Sequence, residues 1–178
     1  MSNQLALALS VVAFDTIDDG EADVLLRTWG HYLGPNNRPF GSQNWALVVR
    51  GQPVSVAVSA STVSSTAAGR PRDTLVELAR LCTAPDARWA TRVALRLWRE
   101  VGARAWPYWP PAAAVAYSNN DRHEGRIYRF DGWTRVATDS RSGGGGTWTD
   151  PRASGSPSSG TKTLWLFDLA EQPEGSDR

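Results

Sequence analysis

The sequence predicts an α/β domain, a sheet flanked by helices. Three observations carry this: an antiparallel hairpin signal near residue 51, a long amphipathic helix over 83–102 set between two strands, and strand-like runs near both ends. With 178 residues, 41% of them hydrophobic, the chain can build one sizeable core. We therefore expect one domain over 1–170, interrupted by a Gly/Ser-rich loop at 140–161 and followed by a tail at 171–178.

Residues 5–14 read as a strand. The segment 19–33 opens with acids, which the positive end of a helix dipole favours, and repeats apolar residues at Ala22, Leu25, Leu26, Trp29 and Leu33, so a helix is expected. A turn-rich loop, GPNNRPFGSQ, leads to 45–50 and 53–61, two strands around Gly51-Gln52. A loop follows from Ser59 to Gly69, then a strand over 73–81 whose polar positions alternate imperfectly.

In the 83–102 helix, Thr83 would cap, Asp86 holds the capping-box position, Pro85 is tolerated early and Gly102 offers the stop. At about 100° per residue, Ala90, Val93, Ala94, Leu97 and Val101 share one side while Arg88, Arg92, Arg96 and Arg99 share the other. After it come a buried strand at 112–118, a short helix at 120–132 with Asn120 near its cap and Gly132 as its stop, an edge strand at 133–139, and a last strand at 162–169.

No run approaches about 18 apolar residues, and LALALSVVAF lacks a basic flank and a cleavage site, so neither a membrane span nor a signal peptide is expected and the cytoplasm is the expected location. The single cysteine, Cys82, rules out an internal disulfide, and two histidines offer little toward a metal cage; no metal is expected. Net charge is +1, unevenly spread: residues 70–109 carry +4, which makes them the expected anion-binding region. Eighteen of the nineteen basic residues are arginine, which suits bidentate phosphate contacts and equally fits a GC-rich genome.

Candidate chemistry gathers in two places. A helix amino terminus directly after the 73–81 strand would hold a pyrophosphate, with Arg88 or Arg92 adding charge, or it is simply a solvated arginine face. In 117-YSNNDRHEGRIYRFDGW-133, Tyr117 ends a strand and Tyr128 lies four residues beyond Glu124 on the next helix; each is a packed aromatic or a proton donor. His123 is either structural or a base, His31 either a cap for the first helix or a base, and Cys82 either a small buried hydrophobe or a nucleophile. Nine tryptophans are more than such a core can fully bury, so one or two would line a groove able to stack a base.

The element order, together with HYL at 31–33, the hairpin VVRGQPVSVAVS, ELARL followed by loop and helix, and AYSNNDRHEGRIYRFDGW, resembles the GCN5-related N-acetyltransferase (GNAT) fold over roughly residues 5–169. Within it the chain looks most like the phage Mom-like group, which modifies adenines in phage DNA and so evades restriction. The resemblance implies a mixed, mostly antiparallel, splayed sheet and an acetyl-CoA or related acyl-CoA donor. It implies a cofactor side lined by Arg80, Leu81, Cys82, Arg88, Trp89 and Arg92, although PDARWATRVA lacks the glycines of the superfamily's pyrophosphate loop.

His31, Ser118, Asp121 and His123 match polar pocket positions, and Tyr128 matches the tyrosine of the family's I-Y step. Tyr128 is then the expected acid or positioning group, and His31 or His123, through water, the expected base. The implied partners are DNA as substrate and a second copy of the chain in a homodimer, with no membrane. Two other functions fit the same residues: acetylation of a small amine, protein or aminoacyl-tRNA, and a non-catalytic nucleic-acid-binding accessory protein.

Overall fold

The computed structural model describes residues 12–36, 38, 41–138 and 161–169. Strand β1 (Val12–Ile17) runs three residues past the expected end at 14, while residues 5–11 lie outside the described residues. Helix α1 (Asp19–Thr28) is capped by Asp18, whose carboxylate accepts the Glu21 N–H at 2.8 Å. It stops at Thr28 rather than Leu33. Gly30 takes φ 68°, and the N–H groups of Gly30 and His31 turn back to the carbonyls of Arg27 and Leu26 at 3.1 and 2.9 Å. This Schellman closure ends the helix and leaves His31 and Tyr32 in the loop beyond it.

Strands β2 (Ser42–Val49) and β3 (Gln52–Ala60) form the expected hairpin. Its turn residues, Arg50 and Gly51, both have positive φ, 54° and 75°, as a type I′ turn requires. The stretch expected as a loop to Gly69 contains half of a two-rung ribbon, Thr66–Ala67 paired with Arg70–Pro71.

Strand β4 (Leu75–Thr83) sits two residues later than expected, because 72–74 form a 3₁₀ turn. Against β3, Leu78 faces Ser59 and Arg80 faces Val58, so Ala79 is an extra, bulged residue. The bulge resets the alternation and puts Glu77 and Arg80 on the same face.

Thr83 does not cap the next helix. It ends β4, and Ala84 extends the ladder by donating to the Val54 carbonyl at 3.0 Å. Helix α2 begins at Ala90, runs to Leu97 and continues as a π turn over Trp98–Gly102. Its buried side is Ala90, Ala94, Leu95 and Trp98, whereas Val93 and Val101, expected inside, are 41% and 45% exposed. Trp98 sets this phase: its indole is fully buried and donates to Ser59 Oγ at 2.8 Å. Arg99, expected on the positive surface, is buried, held by Asp131 and Glu100 and laid over the Phe167 ring.

The rest is β5 (Ala113–Asn119), α3 (Arg126–Phe130), β6 (Thr134–Thr138) and β7 (Lys162–Asp168). Helix α3 is shorter than 120–132 because Gly125, at φ 67°, begins it and Gly132, at φ 84°, ends it. The segment between β6 and β7, which holds nearly all of the loop expected at 140–161, and the tail lie outside the described residues.

The seven strands are ordered β1-β2-β3-β4-β5-β7-β6, with β6 at the edge as expected. All neighbours are antiparallel except β4 and β5. Helix α1 covers one face through Leu26, Val56, Val58 and Cys82. Helices α2 and α3 belong to the other, where Leu78, Leu95, Trp98, Tyr128, Trp133 and Trp165 share a core. Among the described residues no helix is long and apolar enough to cross a membrane.

Candidate active site

The parallel strands β4 and β5 share only four positions, from Leu75 opposite Ala113 to Leu78 opposite Ala116. Beyond them β4 follows β3, with Arg80–Thr83 against Val58–Ser55, and β5 follows β7, with Tyr117–Asn119 against Leu164–Lys162. The sheet opens into a V. Among the described residues, the backbone groups that β4 and β5 turn toward each other past Leu78 and Ala116 have no strand partner.

On the α1 face this opening is lined by charge. Glu77 is 4% exposed and accepts from Arg38 at 2.5 Å. Burial pushes its carboxyl above the ordinary range, and the cations Arg38, Arg80 and Lys162 only partly oppose that. Arg80, on the same face, spends its guanidinium on the carbonyls of Ala79, Gly34 and Pro35 at 2.8–3.2 Å, which ties the loop after α1 over the strand end. Tyr117 is the first β5 residue past the shared positions; burial, with Glu77 beside it, pushes its phenol up to about 12.

The loop after α1 completes this wall. His31 stacks on Tyr32 at 5.1 Å, and the Arg122 guanidinium covers the other ring at 4.7 Å. Burial, then Arg80 and His123, hold His31 down at about 4, so it is neutral near pH 7. Leu33 N–H donates to His31 Nδ1 at 3.3 Å, which leaves the ring proton on Nε2. His123 is exposed at its surface, and partial burial lowers it as well.

On the opposite face Tyr128 rises from α3 between Trp133 and Trp165, with ring centroids at 5.3 and 5.8 Å. Burial drives its phenol far above the ordinary value, and Tyr32 and Glu77 push the same way across the opening. Ser118 is fully buried beneath it and accepts the Trp165 indole N–H at 2.9 Å.

The turn from β4 into α2 lies at the mouth of the V. Ala84, Ala87 and Ala90 are buried there, packed with Leu47 and Ala94. Arg88 and Trp89, just before the helix, and Arg92, in its first turn, are exposed, and no side chain caps the helix.

Of the residues expected on the cofactor side, Arg88, Trp89 and Arg92 therefore come together, and Leu81 shares their side of the sheet. Arg80 and Cys82 face α1, Cys82 packed against Val56, Val58 and Leu26. Of the pocket residues, His31 and His123 meet on the α1 face and Tyr128 and Ser118 on the other. Asp121 is exposed in the turn after β5, its N–H donated to Asn119 Oδ1 at 2.9 Å.

Glu77, Arg38 and Lys162 were not singled out. The signal for Glu77 was the imperfect alternation in DTLVELARL, a carboxylate inside an apolar strand. Beyond α3 a cavity of about 810 Å³ is lined by Glu124, Arg126, Arg129, Phe130, Trp133 and Arg135, among others, with Arg126 paired to Glu124.

No protein-family model matches the chain, and no curated protein matches its sequence. Solved structures do match. The ribosomal-protein-S18-alanine N-acetyltransferase from Escherichia coli superposes with a TM-score of 0.60 at 9% identity, over 94% of this chain and 100% of that one. A protein from Desulfovibrio desulfuricans assigned to the GNAT acetyltransferase family gives 0.57 at 13%, over 90% and 100%. A Salmonella typhimurium protein described as an acetyltransferase, solved with acetyl-CoA, gives 0.58 at 14%, over 95% and 100%. At such identities the likeness concerns the fold: a V-opened, mostly antiparallel sheet flanked by helices, the fold of the GNAT acetyltransferases.

Proposed function

We propose that the protein is an N-acetyltransferase that takes its acetyl group from acetyl-CoA. The observation that carries this reading is the V between β4 and β5, with the Glu77 carboxylate on one side of its floor and the Tyr128 phenol on the other. The residues fit the donor. Unpaired strand edges inside the V can pair with the amides of its pantetheine arm, and Arg88 and Arg92 at the start of α2 suit its pyrophosphate.

When bound, acetyl-CoA supplies an acetyl group activated as a thioester. Glu77 takes the proton that the acceptor nitrogen sheds as the new C–N bond forms. Tyr128, which its surroundings keep protonated, gives its proton to the sulfur as the C–S bond breaks. Inward N–H groups of β4 beyond Leu78 steady the charge on the carbonyl oxygen. The tautomer imposed on His31 makes its Nε2 a donor, so Glu77 is the better base.

The test is titration calorimetry with acetyl-CoA, then release of free CoA in the presence of amines. Binding that falls about 10–100-fold in an Arg88→Ala/Arg92→Ala variant supports the donor site. Tyr128→Phe should bind acetyl-CoA normally and lose about 10²–10⁴-fold in rate. Absence of acetyl-CoA binding would sink the reading.

A second reading keeps a DNA base, adenine in the Mom-like manner, as the acceptor. The cavity beyond α3 favours it: Arg126, Arg129 and Arg135 would meet phosphates, and Phe130, 65% exposed, would stack a base. Salt-sensitive acetyl transfer to a single-stranded oligonucleotide would establish it. Salt-sensitive binding without transfer would favour a nucleic-acid-binding accessory protein, and light scattering on the same samples reads whether the chain dimerises.

A further inference from the structure

The α1 side of the V holds more positive charge than a base needs. Arg38 is committed to Glu77 at 2.5 Å. Arg80 spends three of its five N–H groups on neutral carbonyls, and the carboxylates that act on it are Glu77, already bonded to Arg38, and Asp23. Arg122 lies over Tyr32 at the rim, and Lys162, half-buried at the end of β7 opposite Asn119, has no hydrogen bond or ion pair among the described residues.

The carboxylates nearby do not offset these three. Asp23 lies on the α1 side of Arg80 but is paired with Arg27, Asp121 points to solvent, and Glu124 is paired with Arg126. Both histidines are neutral near pH 7. The wall thus sets one carboxylate, bonded to Arg38, among three further cations, Arg80, Lys162 and Arg122. An ammonium or polyamine reaching it would meet like charge. An amine that carries its own anion would meet complementary charge, and the same cations would favour its neutral, nucleophilic form.

We propose that the acceptor is an amine bearing a carboxylate or phosphate beside the reacting nitrogen, with Lys162, Arg80 and Arg122 holding the anion while Glu77 faces the nitrogen. This rests on the acetyl-transfer reading. The balance is that of the reaction above: a C–N bond forms, the C–S bond breaks, and one proton leaves nitrogen as another reaches sulfur.

The full chain is first titrated with acetyl-CoA, and CoA release is then followed with L-aspartate, O-phosphoethanolamine, ethanolamine, glycinamide, spermidine and a single-stranded oligonucleotide. Aspartate or phosphoethanolamine should exceed ethanolamine and glycinamide, which carry no anionic group, in kcat/KM by at least about 30-fold, with spermidine lowest. Which of the two leads separates carboxylate from phosphate.

Arg122→Glu, at the exposed rim, and Lys162→Glu should each lower the anionic arm about 10-fold or more and raise spermidine, with unchanged circular dichroism. Equal or better transfer to ethanolamine, glycinamide, spermidine or the oligonucleotide overturns the inference. So does bound acetyl-CoA without transfer to either anionic amine. Failure to bind acetyl-CoA is a separate result, one that removes the parent reading and this inference together.

Discussion

Across the β5–β7 pair, Trp165 donates its indole N–H to the Ser118 hydroxyl at 2.9 Å, and Gly125 closes over both. A Cβ at Gly125 would stand 2.7 Å from Trp165 Nε1 and 2.8 Å from Ser118 Oγ, on a backbone held at φ 67°. Strain and overpacking add, so Gly125→Ala should cost about 2–4 kcal/mol. Urea unfolding followed by tryptophan fluorescence measures it; a loss below about 0.5 kcal/mol would mean that the loop before α3 yields freely.

Arg99 ties the long helix to the end of α3. Its guanidinium donates to the Asp131 carbonyl at 2.7 Å and to Oδ2 at 2.8 Å, with both side chains largely buried. Arg99→Ala would leave a buried carboxylate with only the Trp133 indole N–H, at 3.1 Å. Breaking such a pair from one side costs about 3–5 kcal/mol. The double variant Arg99→Met/Asp131→Leu should recover part of that loss in the same unfolding experiment.

His31 links stability to pH. Its folded pKa, about 4, lies below the ordinary 6.5, so the unfolded chain binds the proton first as pH falls. Its contribution is therefore complete above pH 6.5 and lost between there and about 4. The shift sets an upper limit of roughly 3 kcal/mol. His31→Gln should flatten that part of the stability–pH curve, and an unaltered slope would place the effect elsewhere.

On the proposed acetyl-transfer reaction, Glu77 should link activity to pH with its own sign. A raised pKa keeps the carboxyl protonated to higher pH than an ordinary glutamate, and only the ionised form can accept a proton. Values of kcat/KM should rise with pH along a limb displaced above the usual carboxylate range, and Glu77→Gln should remove that limb. A limb that survives in the variant would assign it to another group.

The order of strands and helices was legible because hydrophobic period and turn residues are local. What failed depended on partners far along the chain. Thr83 looked like a cap because Pro85 and Asp86 follow it, yet pairing with Ser55 keeps it in the sheet. Arg99 looked solvated by its helical phase; Asp131, 32 residues later, draws it in.

The candidate site was half legible. Tyr128 and His31 stood out by type and place, whereas Glu77 meets Arg38 across 39 residues and Lys162 only through the register of β7. A one-residue bulge at Ala79, silent in any hydrophobic pattern, decides that Glu77 and Arg80 share a face.

The opening of the sheet also bears on solubility. Unpaired strand edges recruit other chains, which makes them a common route to aggregation. Here two such edges follow directly on the four positions that join β4 to β5. The edges past Leu78 and Ala116 thus lie inside the sheet, between strands that are themselves paired on their outer sides, rather than at its rim where another chain could add a strand.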